Sequence, residues 1–260
     1  MNLKPTTSAT HVGLRPYQED RLFTASYEKG LLVGVFDGHG GEQVSRIASE
    51  KLPGIFADEI TKPKTAPRVA LKRAIRRLVS KTKHLDSGST LSLAYIPYRG
   101  STVTCAVMGD SPIIIKDDKG GINIGPEHNV RTNEAERKAA EERGGVIVGG
   151  YLCQTFEGKV FGLQMARALG DVHLNRVLSR EPDIYTVKVN KDSFVIVATD
   201  GVFDPNHYNF REAALAVVKL VEDGAEAQAL VDRAAQVPTG DNAAVIVARF
   251  EPKPRKKKAT

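Results

Sequence analysis

The sequence predicts an α+β protein, with β-sheets stacked at its centre and helices packed outside. Short bounded runs rich in β-branched residues recur along the chain, and helical periodicity falls in separate blocks between them. The strand runs are Leu31–Phe36, Leu91–Ile96, Thr102–Met108, Pro112–Lys116, Ile184–Val189, Phe194–Thr199 and Ala243–Phe250. Each is too short for a helix and is bounded by turn residues. Tyr98-Arg99-Gly100 and Asp117 to Gly121 stand between such runs as hairpin turns, which predicts antiparallel pairing.

The helices follow from caps and spacing. One is expected to follow Gly41, from Glu42 to Leu52. A second, over Pro67 to Lys83, has the apolar stripe Leu71, Ile75, Leu78 and Val79. Asn133 with Glu136 three residues on reads as a capping box, and Gly144-Gly145 as the stop. Asn209 with Glu212, and Asp223 with Glu226, repeat that device before two Ala-rich helices.

Composition bounds the function. Of 260 residues, 41% are hydrophobic and 26% charged, an ordinary globular balance that excludes a disordered or fibrous chain. No run approaches the ~18 apolar residues of a membrane span. The first ten residues hold no apolar stretch suited to a signal peptide. Cys105 and Cys153 are too few for a disulfide framework and read as packing residues, so the cytoplasm is the expected location.

The net charge of +6 includes five cations in the tail, Lys253, Arg255, Lys256, Lys257 and Lys258. Without them the first 251 residues carry +1, so no polyanionic partner is called for. Residues 1–251 read as a single domain and 252–260 as a basic, disordered tail. Nuclear targeting or nucleic-acid contact is the tail's alternative role.

The informative pattern is where acids fall. Leu31–Phe36 runs into Asp37-Gly38-His39, Phe194–Thr199 into Asp200-Gly201-Val202-Phe203-Asp204, and Thr102–Met108 into Gly109-Asp110. Asp241 stands just before the last strand, and Glu19-Asp20 is a fifth acidic site. Carboxylates at strand ends are held rigidly and repel one another unless a cation compensates. Hard oxygen ligands select Mg²⁺ or Mn²⁺. Two such ions about 3.5–4 Å apart can activate water towards phosphorus. His39 suits protonation of a leaving oxygen, and Arg15 can fork onto phosphate. Singly, each residue reads as a turn or a solvated face; together they describe a site.

The same residues carry a family resemblance over about Gly13 to Phe250. Arg15-Pro16-Tyr17-Gln18-Glu19-Asp20, Val35-Phe36-Asp37-Gly38-His39-Gly40-Gly41, Gly88-Ser89-Thr90, Gly109-Asp110-Ser111, Met165 to Asp171 with Glu181-Pro182-Asp183, Ala198 to Asp204, and Asp241 to Val245 lie in one order. That order resembles the type 2C (PPM) metal-dependent serine/threonine protein phosphatases. The resemblance implies a central sandwich of two antiparallel β-sheets flanked by antiparallel helix pairs.

It also implies roles. Asp37 would bridge two Mn²⁺ or Mg²⁺ ions, with the Gly38 carbonyl on one and Asp200 and Asp241 on the other. Glu19 and Asp20 would hold waters around them. Asp110 and Asp204 match positions of a third, weaker metal. Water bridging the ions would attack phosphorus directly, Arg15 would clamp the phosphate, and His39 would act as general acid. Pro112, Ala166 and Phe203 depart from the family pattern, and none is a proposed primary ligand. The expected protein is a monomeric phosphatase of phosphoprotein substrates. A catalytically silent phosphoprotein-binding module, a phosphatase of small phosphate esters, and a nucleic-acid binder acting through the tail are the alternatives.

Overall fold

The computed structural model describes residues 2–203, 210–236 and 240–252. In chain order its first third holds β1 (Asn2–Leu3), β2 (Thr7–His11), β3 (Arg21–Tyr27), β4 (Gly30–Phe36), β5 (Gly38–His39), α1 (Gln43–Ile60), α2 (Pro67–Thr82) and β6 (Gly88–Ser89). There follow β7 (Leu91–Pro97), β8 (Thr102–Met108), β9 (Ile113–Lys116), β10 (Ile122–Ile124), α3 (Glu134–Glu142), β11 (Val146–Val148), β12 (Tyr151–Phe156) and β13 (Lys159–Leu163). The last part holds β14 (Leu169–Gly170), β15 (Asp183–Lys188), β16 (Phe194–Ala198), α4 (Phe210–Glu222), α5 (Ala227–Ala235) and β17 (Ala243–Glu251).

Two antiparallel sheets form the centre. One has the order β15-β8-β7-β4-β3; the other runs β1-β17-β16-β9-β10, with β2 also pairing β17. Their facing sides bury Leu31, Val33, Val35, Ile96 and Val107 against Ile113, Ile115, Val195, Val197 and Ile246. The opposite side of the first sheet presents Leu32, Phe36, Leu91, Leu93 and Met108 to α1 and α2. The second presents Ile114, Ile196, Val245 and Val247 to α4 and α5. Both faces of the central strands are therefore covered, which is why LLVGVF and FVIVA are continuous apolar runs rather than alternating ones. The α+β architecture with flanking helix pairs is the one the sequence predicts.

The helices depart from expectation in instructive ways. α1 does not stop at Leu52 but continues through Pro53 to Ile60. Burial of Leu52, Ile55 and Phe56 outweighs the missing proline N–H, and the Tyr27 hydroxyl donates to the Pro53 carbonyl at 2.8 Å. α2 starts with Pro67 at its first turn, as expected, and buries Leu71, Ile75 and Leu78. At α3 the Asn133 side chain accepts from the N–H groups of Ala135 and Glu136, but Glu136 does not complete the box. Its carboxylate instead takes Arg167 at 2.5 and 3.0 Å, an ion pair worth more than a return bond to the backbone.

The Asp223–Glu226 capping box does not form either. Gly224, at φ +102°, closes α4, and the first N–H of α5 goes to the Thr7 hydroxyl at 3.1 Å. Asn209 lies outside the described residues.

The two expected hairpin turns are present, between β7 and β8 and between β9 and β10. Asp117 Oδ1 secures the second by accepting from the N–H groups of Lys119 and Gly121. The strands β1–β3, β5, β6 and β10–β14 were not foreseen. β11–β13 form a separate antiparallel meander beside α3. Cys105 is buried in β8, with its thiol pushed up to about 12 by burial, in keeping with a packing role; Cys153 is half-buried in β12.

Candidate active site

The acids foreseen from sequence sit where strands of the two sheets end. Asp37 leaves β4; its N–H donates to the Thr90 hydroxyl at 3.0 Å and its carbonyl accepts from the Thr90 N–H at 2.9 Å. Asp200 begins a single 3₁₀ turn after β16, Asp241 precedes β17, and Asp110 follows β8. Asp20, buried, accepts from the Thr199 hydroxyl at 2.8 Å, which links the loop before β3 to the end of β16. Asn242 ties the same loop down: its Oδ1 accepts from the Glu19 N–H at 2.8 Å and its amide donates to the Val12 and Tyr17 carbonyls. Glu19 Oε1 accepts from the Gly41 N–H at 2.5 Å.

These bonds gather the acids into one electrostatic unit. Burial pushes Asp37 well above the usual carboxylate range, and Asp20, Asp200, Asp110 and Asp241 push it further. Asp20 is raised by burial and then by Asp200, Asp241 and Glu19, against the opposing Thr199 hydrogen bond. Asp241 is raised by burial and by Asp200, with Arg15 pulling the other way. Arg15 Nη2 lies 3.0 Å from both Asp241 oxygens, so this guanidinium is already engaged by an acid. Asp110 is held by the Asn129 amide at 2.9 Å. Asp204 lies outside the described residues.

His39 is placed by β5 pairing with β6. Its Nε2 sits 2.9 and 3.0 Å from the two oxygens of Asp171, and its buried Nδ1 has no partner among the described residues. Burial pulls the imidazole down, but Asp171, joined by Asp110 and Glu19, more than offsets it and the net shift is upward, favouring imidazolium. Two glycines make room. A Cβ on Gly38 would fall 2.4 Å from the Glu19 carbonyl oxygen, and one on Gly88 2.1 Å from Asp171 and 2.2 Å from His39 Nε2. Sequence reasoning quoted Asp171 only as part of a motif and gave it no role. Thr90, Thr199 and Asn242 likewise stand in such motifs without an expected role, because hydroxyls and amides that organise acids leave no spacing signature.

Among the described residues, no three His, Cys, Asp or Glu side chains form a ready-made grip on one metal ion. The donors nonetheless fit hard divalent cations. Small hard ions keep much of their water and are held by one or two carboxylates, and burial beside other acids penalises the charged forms of Asp20 and Asp37, a penalty that a bound cation would offset. The groove of about 560 Å³ lined by Arg143, Val146, Cys153 and Arg176 shares none of these residues, and the chemistry follows the acids rather than the volume.

The family profile described as Protein phosphatase 2C matches residues 4–243. This chain belongs to the protein phosphatase 2C family. "Probable protein phosphatase 2C 69" of Arabidopsis thaliana is 32% identical over 263 residues, covering 93% of this chain and 69% of that protein. "Probable protein phosphatase 2C 52" of Oryza sativa subsp. japonica is 30% identical over 239 residues, 85% of this chain but 44% of the relative. Among solved structures, a serine-threonine phosphatase 2C from Toxoplasma gondii superposes with TM-score 0.73 at 20% identity, covering 95% of this chain and 94% of that one. The catalytic domain of PstP in complex with two manganese ions gives 0.63 at 20% identity, covering 96% and 99%. These structures share the 2C fold, and family members are metal-dependent serine/threonine protein phosphatases.

Proposed function

We propose that this chain hydrolyses phosphoserine and phosphothreonine in proteins, using two divalent ions held by Asp37, the Gly38 carbonyl, Asp200 and Asp241, with Glu19 and Asp20 ordering the water around them. Asp37, Asp20 and Asp241 are each raised by burial and then by neighbouring acids, Asp200 among them every time, and this carries the reading because a bound cation offsets that charge without protonation. Bound Mn²⁺ or Mg²⁺ supplies Lewis-acid chemistry: it neutralises phosphate charge and acidifies water.

The chain's own groups do the rest. Arg15, more than half exposed on a loop, can leave Asp241 and fork onto the phosphate oxygens, holding phosphorus at the acids. His39, whose protonated form Asp171 favours, gives the departing Ser or Thr oxygen a proton as the P–O bond breaks. The oxygen that replaces it on phosphorus comes from water, so no side chain need be phosphorylated. Asp110 and Asp204 remain candidates for a third, weaker ion.

Purified protein is expected to hydrolyse a phosphothreonine peptide when Mn²⁺ is added, and Asp37→Asn to abolish that turnover. Robust turnover in chelator, with metal removal verified, would overturn the metal-dependent reading.

A further inference from the structure

The near-neutral charge of residues 1–251 conceals a strong asymmetry. Residues 61–85 hold nine Lys and Arg and no acid, while the other residues ahead of the tail carry a net −8. Most of that positive charge lies on one helix. α2 buries Ala70, Leu71, Ala74, Ile75 and Leu78, which turns Arg68, Lys72, Arg73, Arg76, Arg77 and Lys81 outward to solvent. They form two rows at i, i+4, i+8, namely Arg68-Lys72-Arg76 and Arg73-Arg77-Lys81, with about 6 Å between successive members.

Part of this charge is answered within the protein. Arg77 pairs with Asp58 and Glu59, Lys72 approaches Glu181 at 3.8 Å, and Arg68 donates to the Ile184 carbonyl. Arg73, Arg76, Lys81 and Lys83 have no ion pair among the described residues. A solvated helix face needs no such arrangement. Like charges at i, i+4 repel, and Arg68 in the first turn opposes the helix dipole. The sequence thus accepts a local cost that an anionic partner would reverse.

The stripe also leads to the candidate site. Beyond Thr82 the chain passes Lys83, whose carbonyl accepts from Asn175 at 3.0 Å, and reaches Gly88 beside His39 and Asp171. From Arg68 to Lys81 the rows span roughly 20 Å, the length of about six extended residues. We propose that the outer face of α2 docks an acidic segment of a phosphoprotein substrate while its phosphorylated residue occupies the candidate site.

This rests on the phosphatase reading only for the choice of substrate. A membrane surface fits poorly, since the apolar face of α2 is already spent on the core. Single-stranded nucleic acid fits poorly too, because α2 exposes no aromatic residue on which bases could stack.

Two phosphothreonine peptides, one with an acidic run beside the phosphoresidue and one with Ser and Gln in its place, test this with Mn²⁺ present. Native protein is expected to favour the acidic peptide through a lower KM, with the preference shrinking as salt rises. Arg73→Gln/Arg76→Gln should cut that preference roughly 2- to 30-fold and leave p-nitrophenyl phosphate turnover intact, which also reports correct folding. A second variant, Lys81→Gln/Lys83→Gln, should act in the same direction.

No preference in the native protein, or a preference untouched by both variants, overturns docking. If no phosphoester is turned over, the phosphatase reading fails on its own. Fluorescence anisotropy of an unphosphorylated acidic peptide then still tests the stripe, with binding lost in the variants expected and unchanged binding overturning it. Tighter binding of a charge-matched DNA duplex than of the peptide would also overturn the proposal.

Discussion

Both carboxylate oxygens of Asp171 lie within 3.0 Å of His39 Nε2, and Asp171 reaches them from a left-handed backbone conformation, φ +52° and ψ +57°. Such a conformation is costly for a non-glycine residue and persists where the surroundings enforce it. Here the Asp171 N–H donates to the Ser87 carbonyl at 3.0 Å, beside the strand that pairs with β5. Asp171 thus fixes the ring through Nε2 and favours its protonated form.

Asp171→Asn is expected to lower kcat on a phosphothreonine peptide about 100-fold, the lower end of what general acid catalysis contributes. Turnover of p-nitrophenyl phosphate, whose leaving group needs little protonation, should fall far less. Steady-state kinetics on the two substrates check this. Equal losses on both would reduce Asp171 to a structural part.

Gly88→Ala should reproduce that signature by a different route. Its new Cβ would overlap both members of the pair, so either the ring or the carboxylate must move. Overpacking of this kind costs about 1–3 kcal/mol. A lowered unfolding midpoint together with selective loss on the phosphothreonine peptide is the expected result.

Metal should act as a stabilising ligand. Asp37 and Asp20 are buried and raised by neighbouring acids, while Arg15 opposes that charge at Asp241. Mn²⁺ at about 100 times its Kd would add about 2.7 kcal/mol, which for a chain of this size is several degrees of Tm. Asp37→Asn should remove most of that increment. In metal-free buffer the same variant should be no less stable than the native chain, because it relieves repulsion. Thermal unfolding with and without Mn²⁺ reads both effects.

What the sequence disclosed follows from burial. β4, β7, β8, β16 and β17 are covered on both faces, so their apolar runs stand out and each was placed within a residue or two. β3 and the β11–β13 meander are partly exposed, with Val146 and Val160 facing solvent, and their mixed composition hid them. α1 ran past Pro53 because packing of its apolar face outweighed a local break signal. The acids of the candidate site were legible because several of them fall together at the ends of buried strands, a pattern that no one of them makes alone. Asp171 was not, since its role depends on a cross-chain meeting with His39. Nor was the basic stripe, because a net charge sums away its position.

The last prediction concerns pH. His128 is 1% exposed; its Nδ1 accepts from the Gly109 N–H at 3.0 Å and its Nε2 faces Asp183 at 3.1 Å. An acceptor nitrogen requires neutral imidazole, whose Nε2–H then donates to Asp183. Burial, followed by the neighbouring Arg167 charge, holds the histidine below its ordinary range, with Asp183 and Glu136 opposing more weakly. Unfolded, it titrates near about 6.5, so between the lowered folded value and that point the unfolded chain binds more protons. Its contribution to stability is full above about 6.5 and is lost as pH falls through the folded value. His128→Asn keeps an acceptor for Gly109 and cannot titrate. The stability of the native chain minus that of the variant should therefore rise with pH across this window in denaturant titrations. The raised carboxylates of the candidate site titrate in the opposite sense, but both proteins carry them and the difference cancels them. A difference flat in pH would show that His128 is not kept neutral by its surroundings.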